Sequence, residues 1–230
     1  GISQTGRLRV AGTTTLNTGN NPIVMELNND FNRVAITGTG MATLNDTNGI
    51  DLLDSRSFGD FTIIAQGDIT AQAISTANGS IQLTSQAGEI DTTGGLLRAR
   101  FLSGQGGDVS LRSADNLTAG EISVSGFPSG SVELVSENGV LLLDSYDIRS
   151  ITFGSETGGT VTLDGDIVEI VNGGRVVSSA ADTGQGGTVN INARQLFVQG
   201  VESGEPGEEA FITGIGTDTF QGSDGSGGDQ

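Results

Sequence analysis

A five-residue pattern recurs through the second half of the chain and constrains the fold more than any other feature. It opens on glycine, passes through a small or acidic residue, and then alternates Val or Ile with Leu or Ile. The pattern stands at Gly79-Ser80-Ile81-Gln82-Leu83, Gly107-Asp108-Val109-Ser110-Leu111, Gly130-Ser131-Val132-Glu133-Leu134, Gly159-Thr160-Val161-Thr162-Leu163 and Gly187-Thr188-Val189-Asn190-Ile191. The steps between the leading glycines are 28, 23, 29 and 28 residues. Alternation of period two describes a half-buried strand, and a second strand follows in most units, as at Glu121 to Val124, Ile167 to Ile170 and Gln195 to Val198. One such unit cannot bury its own apolar face, so neighbouring units must stack into a continuous core.

The first third is looser but of the same kind. Thr14-Thr15-Leu16-Asn17 and Ala42-Thr43-Leu44-Asn45 lie 28 residues apart. Strand-like pieces run over Ile23 to Leu27, Arg33 to Thr37, Ile50 to Leu53, Phe61 to Ala65 and Asp68 to Thr70. Turn chemistry separates them at residues 18 to 22, 28 to 30 and 46 to 49. No segment has helical caps with 3.6 periodicity, although Thr92 to Arg100 has room for a brief helical turn.

The reading is an all-β parallel β-helix, a solenoid of about nine coils, in which each strand bonds the equivalent strand one coil away at roughly 4.8 Å. Val, Ile and Leu point inward, Thr, Ser, Gln, Glu and Arg outward, and glycine takes corners that need a positive φ. A β-sandwich also uses short alternating strands but has no cause to repeat Gly-x-Val-x-Leu at a 28-residue step. Residues 1–200 form the repeats, 201–220 a last strand or cap with Phe211 to Ile215 as its strand, and 221–230 a flexible tail without an apolar anchor.

Composition narrows the chemistry. Among 230 residues there are 38 Gly, 3 Pro and no Cys or His, and all ten basic residues are Arg. Disulfides, thiol nucleophiles, imidazole bases and lysine chemistry are therefore excluded. The net charge of -18 argues against nucleic acid and anionic membrane surfaces as partners. No apolar run approaches the ~18 residues of a membrane span.

Several stretches resemble a known family. Asn29 to Gly38, Leu44 to Leu52 and Thr62 to Thr70 look like the repeats of filamentous-haemagglutinin-like exoproteins, and Gly186 to Ala193 is similar to repeats of cyanobacterial members of that group. The resemblance covers roughly residues 1 to 200. It implies a right-handed β-helix exported by two-partner secretion through an outer-membrane transporter, and an extracellular or bacterial cell-surface location. It also implies the role of an adhesin, toxin stalk or haemolysin, with this chain as an internal or C-terminal segment.

Three constellations are candidates for chemistry. Asp144, Tyr146, Asp147 and Arg149 are the densest mixed cluster, with Asp147 and Arg149 reading most simply as a surface ion pair. Asp164, Asp166 and Glu169 have the residue types of a hard-cation site, but Asp-Gly is also a common turn pair, and the Asp/Gly-rich tail 223–229 reads as linker. Asn17, Asn28, Asn29, Asn45 and Asn48 suit corner ladders or sugar hydroxyls. The nine Phe and Tyr146 are too sparse and scattered for a sugar-stacking platform, and most Phe belong to the core or the coil ends. Arg7 with Arg9, and Arg98 with Arg100, are outward solvated charges.

The expectation is thus a structural, adhesive rod rather than an enzyme, without catalytic, cofactor-binding or metal residues. It presents a surface to a cell-surface or extracellular polysaccharide or protein receptor and is able to associate end to end. The alternatives are a carbohydrate-active β-helix enzyme, a polysaccharide lyase or hydrolase, and a calcium-dependent matrix scaffold.

Overall fold

The computed structural model describes residues 1–101, 104–200 and 213–220, the side chains of 218–220 excepted. Among these there is no helix, and every strand pairing is parallel. The strands repeat on three faces, the arrangement of a β-solenoid. On the first face, Ile2, Ile23, Ala42, Phe61, Ile81, Val109, Val132, Val161 and Val189 stand in one register column. The second face carries Ile50–Leu52, Ile69–Ala71, Ile90–Asp91 and Leu117–Ala119. The third carries Ser55–Ser57, Ile74–Thr76, Leu97–Arg100, Ile122–Gly126, Asp147–Phe153, Arg175–Ala181 and Gly214–Phe220. The long strands Ile23–Gly38, Val132–Asp144, Thr160–Val171 and Thr188–Gln199 round the corner from first face to second, which joins those two faces into one sheet.

Alternation decides which side chains fill the interior. Ile81 and Leu83 are fully buried while Gln82 is exposed, and the same holds for Leu97 and Ala99 around Arg98. The buried Ile, Val and Leu of successive coils make one unbroken apolar column, so truncating one, such as Leu111, would cost about 2 to 5 kcal/mol.

The outward assignment of Ser and Thr is corrected at the corners. Ser85, Ser113 and Ser136 face inward, and each hydroxyl donates to a turn carbonyl of the preceding coil, Gly67, Gly88 and Asp115, at 2.7–2.8 Å. Ser150 and Ser178 do the same for Gly130 and Gly159. A small hydroxyl fits where the chain bends tightly, and it satisfies a carbonyl that would otherwise be buried unpaired.

The corner glycines also need a different account. Gly40, Gly59, Gly79, Gly107, Gly130, Gly159 and Gly187 follow one another up the first corner, and a Cβ on each from Gly59 onward would collide with the backbone of the glycine before it. Close approach, not positive φ, requires them; positive φ occurs at Gly19, Gly154 and Gly173, and at Ser145, Asn172 and Asp182.

Other expectations shift with the register. The first coils are shorter, with 19 or 20 residues from Ile23 to Ile81 in each step, so Thr14 to Leu16 pair with Val34 to Ile36 rather than standing one 28-residue coil from Ala42. The turn expected at 28–30 is a corner inside the continuous strand Ile23–Gly38. Thr92 to Arg100 holds no helical turn; Leu97–Arg100 is a strand. Gly214–Phe220 forms the last described strand. Phe211, Ile212, residues 202–210 and the tail 221–230 lie outside the described residues.

Candidate functional site

On the outer side of the third face, alternation sends Arg56, Ser75, Arg98 and Arg100 outward. Arg56 stands between the buried Ser55 and Ser57, Ser75 between Ile74 and Thr76, and Arg98 and Arg100 flank Ala99. Register places Arg56 opposite Ser75 and Ser75 opposite Arg98. Adjacent strands lie about 4.8 Å apart, so the roots of Arg56 and Arg98 are separated by roughly 9.6 Å, with the small Ser75 hollowing the space between. The result is an open groove of about 620 Å³ that runs across several coils and is extended by Thr37 and the ring of Phe58. Phe58 is 56% exposed, although an apolar ring of that size usually finds burial.

The charge state of the groove sets it apart. Arg9, Arg112, Arg149, Arg175 and Arg194 each meet a carboxylate. Among the described residues, Arg7, Arg33, Arg56, Arg98 and Arg100 have no ion pair, and three of these five line this groove. No carboxylate lines it. Asp54, the outward neighbour of Arg56 along the chain, accepts a hydrogen bond from the Ala73 N–H at 3.2 Å. A positive groove thus lies in a chain of net charge -18.

The clusters singled out in the sequence are used within the chain. Ser145, at φ 65°, breaks the strand between Asp144 and Asp147. Asp144 accepts from the Ser145 hydroxyl and from the Asn172 amide, both at 2.9 Å, and the Tyr146 hydroxyl donates to the Thr93 carbonyl at 3.2 Å. Asp147 is held by Arg149 and by both Nε and Nη2 of Arg175. Burial pushes the Asp147 carboxyl up, but the hydrogen bonds from Arg175 and Arg149 outweigh it, and the net shift is downward. Asp166 is gripped by Arg194 through Nε at 2.7 Å and Nη2 at 2.6 Å, which lowers its carboxyl as well. Asp164, Asp166 and Glu169 are not gathered into a cation site, and among the described residues no three acidic groups are.

The asparagines do not stack on one another. Asn45 donates to the Glu26 carbonyl, Asn48 to the Asp30 carboxylate and Asn17 to the Thr37 hydroxyl, so each bonds a different kind of partner in a neighbouring coil. Asn28 is exposed, whereas Asn29 is fully buried. The phenylalanines divide: among the described residues, Phe31 and Phe61 are core, while Phe58, Phe127 and Phe197 are exposed.

Residues 1–38 and 39–95 match a family described as repeats of unknown function (DUF5649). No curated protein matches the chain, and no solved structure does. The matched stretch contains the short coils, including Arg56 and Phe58, while Arg98 and Arg100 lie just past it.

Arg98 and Arg100 were legible as outward charges. Arg56 and Phe58 were not singled out, because Arg56 reaches Arg98 across two coils of unequal length and no fixed period links them. Chemically, the groove offers guanidinium donors, the hydroxyls of Thr37 and Ser75 and one aromatic face. Such a set holds an anion in place.

Proposed function

We propose that this chain is a structural and adhesive segment of a secreted surface protein, a right-handed β-helical rod of about nine coils that presents a binding surface to an extracellular polysaccharide or cell-surface receptor. The groove of Arg56, Arg98 and Arg100 carries this reading, because three guanidinium groups that have no ion pair among the described residues stand on a rigid parallel ladder. Rigid spacing lets weak contacts along a polymer add. Export through an outer-membrane two-partner-secretion transporter and a place at the bacterial cell surface belong to the same proposal.

End-to-end self-association is part of it too. Leu196 and Val198 stand in register with the buried Val168 and Ile170, yet both are 46% exposed. Among the described residues, Thr188–Gln199 pairs on one side only, with Thr160–Val171. A second copy stacked there would cover these apolar side chains.

The test passes the purified chain over immobilised acidic and neutral polysaccharides and over intact cells, with retained protein and released sugar read together. Retention without release is expected. Released oligosaccharide would overturn the reading in favour of an enzyme, and the absence of retention on every surface would leave only a spacer. Light scattering across a dilution series tests the self-association, which a strict monomer at high concentration would refute.

A further inference from the structure

We infer that the groove of the third face recognises a linear carboxylated polysaccharide with an acid group on every second sugar, lying along the stack of coils so that successive carboxylates meet Arg56 and Arg98. The inference rests on the binding role proposed above and adds the ligand class.

The protein's own ion pairs supply the first argument. Two outward arginines take an acidic residue of the neighbouring coil with the planar fork: Arg175 grips Asp147 through Nε and Nη2, and Arg194 grips Asp166 in the same way. In the groove the position between two arginines is filled by Ser75, and the far neighbour of Arg98 in register is Ser123. The partner that these arginines have elsewhere is absent from their column. A carboxylate brought by a ligand fills that place, and the fork matches its two oxygens.

Spacing supplies the second. Arg56 and Arg98 are two coils apart, roughly 9.6 Å at their roots. Acidic side chains on one side of an extended peptide recur at about 6.7 Å, which does not match. A disaccharide repeat in an extended sugar chain does. Arg100, about 6.7 Å further along the same strand as Arg98, stands to one side of that line and can take the opposite edge of the same sugar. The exposed ring of Phe58 offers a face for a sugar's C–H groups, and the Ser75 and Thr37 hydroxyls offer partners for its own.

Electrostatics makes the recognition local. The net charge of -18 repels a polyanion at long range, but at physiological salt that field decays within about 8 Å. A bidentate contact is shorter than this and is screened less. Moderate salt is therefore expected to speed association before high salt weakens the complex, unlike the monotonic loss seen with a basic protein.

The test measures binding of hyaluronan oligosaccharides, which carry a carboxylate on alternate sugars, and of their carboxyl-reduced form, which keeps the backbone without the charge. Heparin is the sulfated comparison. Arg56→Gln, Arg98→Gln and Phe58→Ala alter exposed side chains, and an unchanged thermal melt verifies each fold; Arg7→Gln, an unpaired arginine outside the groove, is the control. Expected is binding of the carboxylated probe that carboxyl reduction abolishes. Each arginine variant is expected to weaken it roughly tenfold to a hundredfold, the loss of one charge-assisted hydrogen-bonded contact, with Arg7→Gln unchanged. Equal binding of the reduced probe, or a preference for heparin, would overturn the inference while leaving a binding rod intact. So would a loss as large in Arg7→Gln. If no polysaccharide and no cell retains the chain, the binding role itself fails and takes the inference with it.

Discussion

A Cβ on residue 107 would overlap the carbonyl oxygen of Gly79, one coil below it. The two glycines let the backbones of consecutive coils close on each other at the first corner, and the same relation continues through Gly130, Gly159 and Gly187. The obstacle is backbone on both sides, so nothing flexible can move aside. Gly107→Ala is expected to destabilise the fold by about 3 kcal/mol, the upper range for overpacking a close-packed site. Gly12→Ala is the control: Gly12 has open space around its Cβ position and its φ is not positive, so the change should stay within about 0.5 kcal/mol. Denaturant midpoints of the two variants decide the matter, and equal midpoints would show that the corner relaxes.

That corner also marks what could be read from the sequence and what could not. The Gly-x-Val-x-Leu units were legible because each begins at the same corner, so Gly79, Gly107, Gly130, Gly159 and Gly187 recur with inward Val or Ile two residues on. The third face was hidden. Ile122 belongs to it while Ile167 belongs to the second face, yet both look like a second strand when only the distance from the preceding glycine is visible. The groove was hidden for a related reason. Arg56 and Arg98 become neighbours only through the pairing of Ser75 with both, and turns of different length erase any sequence period between them. Inward serines such as Ser113 escaped because their polarity suggests exposure, whereas a turn carbonyl from the coil below gives them a buried partner.

Asp147 makes stability depend on acid in a definite direction. Its carboxyl lies below the ordinary value of 3.8 in the folded chain, since the hydrogen bonds from Arg175 and Arg149 outweigh burial. The ionised form is therefore favoured by folding. The contribution is complete above 3.8 and disappears as pH falls through the lowered folded value. Both arginines are about half exposed, which limits it to about 1 kcal/mol. Asp147→Asn should lower the urea midpoint at neutral pH and have no such effect in strong acid. A pH-independent difference would mean that the loss comes from packing.

Asp46 acts in the opposite sense. Burial raises its carboxyl above 3.8 even though it accepts hydrogen bonds from the N–H groups of Phe31 at 2.8 Å and Asn48 at 3.1 Å. Ionisation therefore costs stability once pH exceeds the raised folded value, and that cost vanishes as pH falls to 3.8 and below. Asp46→Asn keeps an oxygen acceptor and removes the charge. The stability difference between variant and parent should move in favour of the variant as pH rises from strong acid to neutrality. Movement toward the parent instead would show that the two backbone hydrogen bonds outweigh burial.

Asn29 is the residue on which the chain turns from the first face to the second in its continuous strand. Its side chain is fully buried inside the continuous strand Ile23–Gly38, where the register shifts between Met25 and Asn29. The amide nitrogen lies 2.7 Å from the Leu27 carbonyl oxygen and 3.1 Å from those of Met25 and Asn45, and Oδ1 accepts from the Leu8 N–H at 2.9 Å and from Gln4 Nε2 at 2.7 Å. One amide thus bonds backbone groups of three successive coils where the register shifts. Asn29→Ala is expected to cost about 3 kcal/mol, since buried groups that lose a partner cost about 1 to 3 kcal/mol each and water can reach only some of them. It should also raise the exchange rate of the Leu8 amide, whose acceptor is gone. Asn28→Ala, one position earlier and exposed, should stay within about 0.5 kcal/mol. Asn29→Asp separates donor from acceptor: it keeps an oxygen for Leu8 but offers the carbonyls nothing at neutral pH and buries a charge, so it should be worse than alanine there and recover in acid. If Asn29→Ala and Asn28→Ala melt alike, the corner is held by apolar packing around it and the amide is incidental.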